Sequence, residues 1–285
     1  MDFDALASFV IFAEKRNFTH AAEELHISQP ALHAKIRKLG QALGVELYRR
    51  HGRALEITHA GRRLARFGRE MSGSISEFIA ALRGSPVAQP VVLAAGEGAV
   101  LYLLASAIRD FVATGAPLQI LTRDRDGVID SLRAGEAHLG VAAIDAVPSD
   151  LLSTELARAR QMLVIPANHP LRHKREVALA DLEDAALIVP PPGRPHRETI
   201  ARALRDAGVT WRIAVEANGW PVMLELARSG VGLAIVNSTC ALPKDLTGRP
   251  LRGITATHYH LLHARGQVSK EARLFSATIR ASVRS

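Results

Sequence analysis

Cysteine is almost missing from this sequence. Cys240 stands alone in 285 residues, which excludes an intramolecular disulfide and any CxxC metal or redox pair. A single thiol also fits a reducing compartment. No stretch of about 18 uncharged apolar residues occurs, so no membrane-spanning helix is predicted. The first ten residues, MDFDALASFV, carry two aspartates and no basic lead, and read as no signal peptide. There is no GxSxG elbow, no HExxH, no low-complexity tract and no repeat of 20 to 50 residues. The expectation from these absences is a soluble cytoplasmic protein that is not an enzyme.

What is present divides the chain. The apolar content of 48% is enough for a sizeable core, and the length suggests two or three folding units. The net charge of +8 is concentrated: from His33 to Arg69 there are ten Lys or Arg against Glu46 and Glu56, and the remainder is neutral. A basic window beside a neutral bulk is the electrostatic footprint of a module that binds a polyanion.

The helical spacing of Leu6, Phe9, Val10 and Ala13 predicts a first helix over residues 4–14. Thr19 is read as the N-cap of a short second helix from His20 to about Leu25. Ser28 is read as the cap of a third, in SQPALHAKIRKLGQALG. Pro30 falls in its first turn, where a missing N–H costs nothing. Leu32, Ile36, Leu39 and Leu43 form one apolar stripe opposite a basic face. Two helices joined by a short turn, the second half-buried and basic, make a helix-turn-helix. VELYRR and ALEIT, separated by HGR, predict a β-hairpin wing with Arg49, Arg50 and Arg53 at its tip.

Thr58 opens a long helix to about Arg83, whose Leu64, Phe67, Met71, Ile75, Phe78 and Leu82 form a narrow seam suited to a partner helix. GSPVAQP closes this module as a linker. Beyond Val91, short apolar runs such as VVLAA, MLVIP, ALIVP and GLAIV alternate with helical stretches, which predicts α/β structure with mainly parallel strands. About 195 such residues suit two α/β lobes with a ligand cleft between them. The expected boundaries are 1–58 for the winged helix-turn-helix, 59–84 for the linker helix and 87–285 for the α/β part. Lobe one is expected over 87–165 and 242–285, and lobe two over 166–241.

Residues 6–61 resemble the LysR-type transcriptional regulators. The shared text is an aromatic pair in the first helix, then F-T-x-A-A-x-x-L, S-Q-P-A-L, I-x-x-L, L-G-x-x-L, a basic wing and T-x-A-G. LRAGEAHLGVA and ELARSGVGLAIV extend a weaker likeness into the second half. The resemblance implies a winged helix-turn-helix, a dimerising linker helix and a two-lobed α/β effector domain like periplasmic binding proteins. It implies a homodimer or homotetramer that bends double-stranded promoter DNA under control of a small effector, with RNA polymerase as a partner in activation. No cofactor and no metal are implied. His33-Ala34 stands where family members usually have Ser-Arg, and His138 replaces the usual aspartate of L-D-L.

The face opposite the apolar stripe carries Pro30, Ala34, Arg37, Lys38 and Gln41, with His33 beside it. Gln29 and His33 lie at the end that recognition helices present to base edges, Gln29 suited to adenine and His33 to guanine. Pro30 and Ala34 offer small apolar surfaces for a thymine methyl. Lys35, Arg37 and Lys38 are expected on phosphates, and Arg50 and Arg53 in or beside the minor groove. Thr19 and Ser28 complete the DNA-facing set.

In the second half the loop after the first strand, AAGEGAVLY, has no hydroxyl where the family often places Ser or Thr to hold a carboxylate. Glu97, followed by Gly98 and Ala99, would repel an anion. It is expected either to read a cationic or hydrogen-bond-donating effector, with Asp124 or Asp126, or simply to cap its helix or pair with Arg123. Thr122, Arg123, Pro192, Gly193, Asn218 and Trp220 are the other candidate cleft residues, Trp220 serving either to stack on a flat ligand or to fill core. HYHLLH puts His258 and His260 on one strand face without matching Cys, Asp or Glu, so ordinary surface histidines are expected there.

Overall fold

The computed structural model describes residues 2–51, 54–82, 89–266 and 268–284. Helix α1 (Phe3–Lys15) starts at Asp2, whose carboxylate accepts from the N–H groups of Asp4 and Ala5. Helix α2 (Phe18–Glu24) is capped by Asn17, whose Oδ1 lies 2.9 Å from the Thr19 nitrogen and 3.3 Å from that of His20. The expected Thr19 cap is therefore corrected. The Asn17 amide reaches the donors of the second and third helical residues, and Thr19 is itself one of those donors.

Helix α3 (Gln29–Leu43) begins as expected, with Ser28 Oγ accepting from Ala31 N–H at 3.3 Å and Pro30 in the first turn. Leu32, Ile36 and Leu39 are buried, but Leu43 is exposed. Gly40 takes the inward position of the last turn, where a Cβ would stand 2.9 Å from the Val45 carbonyl oxygen. These residues close a core on Phe9, Phe12, Leu47 and Ile57, with the Phe12 and Phe18 rings stacked at 4.1 Å.

Strands β1 (Tyr48–His51) and β2 (Ala54–Ile57) pair antiparallel as the wing. Helix α4 (His59–Leu82) follows directly. Three contacts fix that junction: Thr58 Oγ1 donates to the Glu46 carbonyl at 2.6 Å, Arg62 donates to the Ile57 carbonyl at 2.6 Å, and Gly61 lies against Leu47. A Cβ on Gly61 would fall 2.0 Å from the Leu47 carbonyl oxygen, so only glycine fits. Further along, α4 crosses α1 at Gly68, and Arg69 pairs with Glu14 at 2.9 Å. Its Phe67, Ile75, Phe78, Ile79 and Leu82 remain 41% to 72% exposed.

The first lobe is a sheet in the order β4-β3-β5-β13-β6: β3 (Val91–Ala95), β4 (Leu118–Thr122), β5 (Leu139–Ala143), β6 (Leu151–Ala159) and β13 (Thr257–Ala264). Helices α5 (Glu97–Tyr102), α6 (Ala105–Val112), α7 (Arg125–Ala134) and the terminal α10 (Lys270–Arg284) belong to it. The second is β10-β9-β11-β7-β12-β8, built from β7 (Gln161–Pro166), β8 (Val177–Ala178), β9 (Ala185–Val189), β10 (Trp211–Glu216), β11 (Leu233–Asn237) and β12 (Leu246–Arg252). Its helices are α8 (Pro195–Asp206) and α9 (Trp220–Arg228).

Both sheets are mainly parallel, as expected, with one strand in each running against the rest, β13 in the first and β7 in the second. The lobe boundary is corrected. β7 pairs with β11 and β12, so both strands at the expected edges of lobe one lie in lobe two. The chain crosses between β6 and β7 and again between β12 and β13, giving lobe one 91–159 with 257–284 and lobe two 161–252. The expected linker falls largely on residues 83–88, outside the described residues.

Candidate functional site

Two places gather the expected functional residues. On the N-terminal module, Thr19, Ser28, Gln29, Pro30, Arg37, Lys38 and Arg50 are exposed, and Ala34 is partly so. Arg53 and Gly52 lie outside the described residues. Lys35 and His33 reach across to other elements. Lys35 Nζ sits 2.6 Å from Asp4 Oδ2 and 3.1 Å from Ser8 Oγ, tying α3 to α1. His33 Nε2 shares a hydrogen bond with the Tyr48 hydroxyl at 2.9 Å, and its ring lies 5.1 Å from that of Phe18. His33 therefore joins the recognition helix to the wing. Burial pushes the Tyr48 phenol up, against the charges of Arg50 and Arg37, and it stays a neutral partner. The outward positive charge then rests on Arg37, Lys38 and Arg50, while Arg49 is paired with Glu46 at 3.1 Å.

The second place is the cleft between the lobes. Trp220 opens α9 from lobe two and stacks on Tyr102 of lobe one, with ring centroids 5.7 Å apart and planes 24° from parallel. Gly98 permits this approach: a Cβ there would be 3.3 Å from the indole. Glu97 faces Gly219 across the gap, its Oε2 3.1 Å from where a Gly219 Cβ would stand. Gly219 has φ +82°, a backbone that other residues rarely adopt. Asp124 caps α7 by accepting from Gly127 N–H at 3.0 Å, and its other oxygen lies 3.2 Å from Arg194 Nη1 of lobe two. So the structure brings together Glu97, Gly98, Trp220 and Asp124 from the expected set. Ala99 is buried in the lobe-one core. Thr122, Arg123, Pro192, Gly193 and Asn218 are exposed, and Arg123 donates to the Thr122 carbonyl rather than to Glu97.

Beneath the cleft runs a buried polar chain that sequence reasoning missed. Gln161 Nε2 donates to Thr257 Oγ1 at 3.0 Å, and Thr257 donates to Asn237 Oδ1 at 3.3 Å. Asn237 Nδ2 donates in turn to the Tyr259 hydroxyl at 2.8 Å. Gln161 and Asn237 belong to lobe two and the other two to lobe one, so the chain pins the hinge. The only sequence signal was polar residues at the ends of apolar runs. Burial, with Cys240 nearby, pushes the Tyr102 phenol up to about 12, and burial also raises the Cys240 thiol. Cys240 is thus a packed thiol rather than a reactive thiolate. His196, beside Trp220, shares Nε2 with the Ile235 carbonyl at 2.8 Å, and burial holds it neutral.

Comparison with known proteins covers both places. Residues 3–62 match the model for the bacterial regulatory helix-turn-helix protein, lysR family, and residues 84–284 match the LysR substrate binding domain. The RuBisCO operon transcriptional regulator of Allochromatium vinosum is 25% identical over 242 residues, covering 81% of this chain and 78% of that protein. The regulator TfdS of Cupriavidus pinatubonensis is 29% identical over 258 residues, covering 85% and 84%. Among solved structures, a full-length OxyR variant from Pseudomonas aeruginosa superposes with a TM-score of 0.70 at 22% identity, covering 100% of this chain and 95% of that one. Full-length CbnR complexed with its target DNA gives 0.58 at 22% identity, covering 99% and 100%.

Proposed function

The chain belongs to the LysR family of transcriptional regulators, a DNA-binding regulator with an effector-binding domain and not an enzyme, and from that premise we propose how its own residues divide the work. Gln29 at the head of α3 reads a base edge, with Pro30 and Ala34 against thymine methyls. Arg37, Lys38 and Arg50 hold phosphates and set the register. The observation that carries this reading is that Gln29, Arg37 and Lys38 lie exposed on a helix whose other side, Leu32, Ile36 and Leu39, is fully packed. Lys35 and His33 act at one remove, holding α3 against α1 and the wing.

Two copies join through the exposed seam of α4, and pairs of dimers give a tetramer. A small molecule settles between the lobes near Glu97, Tyr102, Asp124 and Trp220, with no further cofactor, and alters the grip on promoter DNA. RNA polymerase enters as a partner where the protein activates. Among the described residues no helix is long and apolar enough to cross a membrane. Selection of bound fragments from genomic DNA by the full-length protein, followed by anisotropy titration, tests the reading. Wild type should retain a defined sequence that the Arg37→Ala, Lys38→Ala double variant binds far more weakly. Equal binding of all fragments by wild type would defeat it.

A further inference from the structure

The cleft holds an exposed carboxylate, Glu97, with no side-chain partner among the described residues, and this names the class of ligand it takes. The inference rests on the cleft being the effector site. From lobe one, Glu97 and Asp124 face the gap; from lobe two, Arg194 and His196 do. Asp124 and Arg194 neutralise each other at 3.2 Å. His196 is neutral and committed to the Ile235 carbonyl. Arg123 donates to the Thr122 carbonyl, and the exposed Glu97 has no ion pair and no hydrogen bond from another side chain among the described residues. Beside it stands the stacked aromatic pair of Tyr102 and Trp220, one ring from each lobe. The carboxylate also lies at Gly219, where the nine-residue α9 begins, so the place an anionic ligand would favour is already held by the chain's own anion.

We propose that the effector is a flat organic cation, of the amidinium, guanidinium or protonated nitrogen-heterocycle class. Its positive group pairs with Glu97, and its plane packs against the stacked pair of Tyr102 and Trp220. A carboxylate and an aromatic surface attract such a cation together, and the attraction grows as water leaves. An anion of the same shape meets Glu97 instead.

The test uses full-length protein and two probes of one ring and opposite charge, benzamidine and benzoate, with phenylguanidine as a second cation. Calorimetry and the fluorescence of Trp220, in a Trp211→Phe background, report binding. Both cations should bind saturably and benzoate should not. Glu97→Gln should weaken the cations at least about tenfold and admit benzoate, and Trp220→Ala should weaken the cations while leaving benzoate excluded. Melting curves of the variants confirm that they fold. Binding of benzoate by wild type, or no saturable cation binding up to about 10 mM, overturns the proposal. Operator binding measured alongside separates the two readings: its loss in wild type would strike the regulator, while benzoate binding with operator binding intact strikes only the cation.

Discussion

Asp124 and Arg194 meet across the cleft at 3.2 Å, and the same Asp124 caps α7. Helix α7 ends at Gly135, where a Cβ would lie 2.7 Å from Arg66 Cγ of the linker helix α4. Ten residues, about 15 Å of helix, therefore run from the cleft between the lobes to the helix that follows the N-terminal module. Near that far end, Arg133 holds Asp150 with two hydrogen bonds of 2.9 and 3.0 Å. Helix α7 thus joins the cleft at one end to α4 at the other.

Substitutions at the cleft end should separate the two jobs of Asp124. Arg194→Met and Asp124→Asn each remove the ion pair and keep the cap. The pair is partly exposed, so each should cost only about 0.2–1 kcal/mol. Asp124→Ala also loses the cap and should cost about 1 kcal/mol more. Urea unfolding of the three variants measures this, and equal losses in all three would remove the cap from the account.

On the DNA face, Gln29→Ala should relax preference at one base pair at a cost of about 1–3 kcal/mol. Arg37→Ala should weaken all sequences alike and reduce the salt slope by about one phosphate. Lys35→Ala should instead lower stability with little change of slope, because its ammonium faces Asp4. Anisotropy across single-base operator variants and salt concentrations distinguishes the three.

The seam on α4 gives a third expectation. Phe78 is 64% exposed, and burying such a side chain against a partner is worth about 1.5–3 kcal/mol. Phe78→Glu should shift the protein toward monomer in light scattering and lower operator affinity together. An unchanged mass would move dimerisation elsewhere.

Acid should destabilise the protein through three imidazoles, His138, His196 and His260. His138 Nδ1 accepts the Val92 N–H at 2.9 Å, and desolvation holds its pKa below the usual value, as burial does for His196. The unfolded chain then binds more protons than the folded one, so stability falls as pH drops below about 6.5 and continues down to the depressed folded values. His138→Asn keeps an acceptor without a titration and should flatten this fall between pH 7 and pH 5 in urea midpoints.

Much of the N-terminal module was legible because its signals are local. Ser28, Pro30 and Gly44 mark the ends of α3 through capping and φ alone. The Asn17 cap was missed because Thr19 is an equally good cap residue two positions later. The partners of Lys35 and His33 lie 31 and 15 residues away and have no local signature. In the lobes, alternating apolar runs located strands but not their pairing. The antiparallel partners of β7 follow from two crossings that leave no mark in hydropathy. Glu97 and Trp220 were singled out by residue type, whereas Tyr102 and Arg194 became visible only once the lobes faced each other.

Gly61 has a consequence for the operator. Because Gly61 seats α4 against the Leu47 backbone without room for a side chain, the wing and the linker helix move as one body. Gly61→Ala should cost about 3 kcal/mol or more, read as a lowered melting temperature. In a dimer joined through α4, the separation of the two reading heads is then set by a helix rather than by a hinge. Such a protein is a fixed caliper. Inserting about five base pairs between half-sites, half a turn of DNA, should abolish joint binding while each half-site alone still binds weakly.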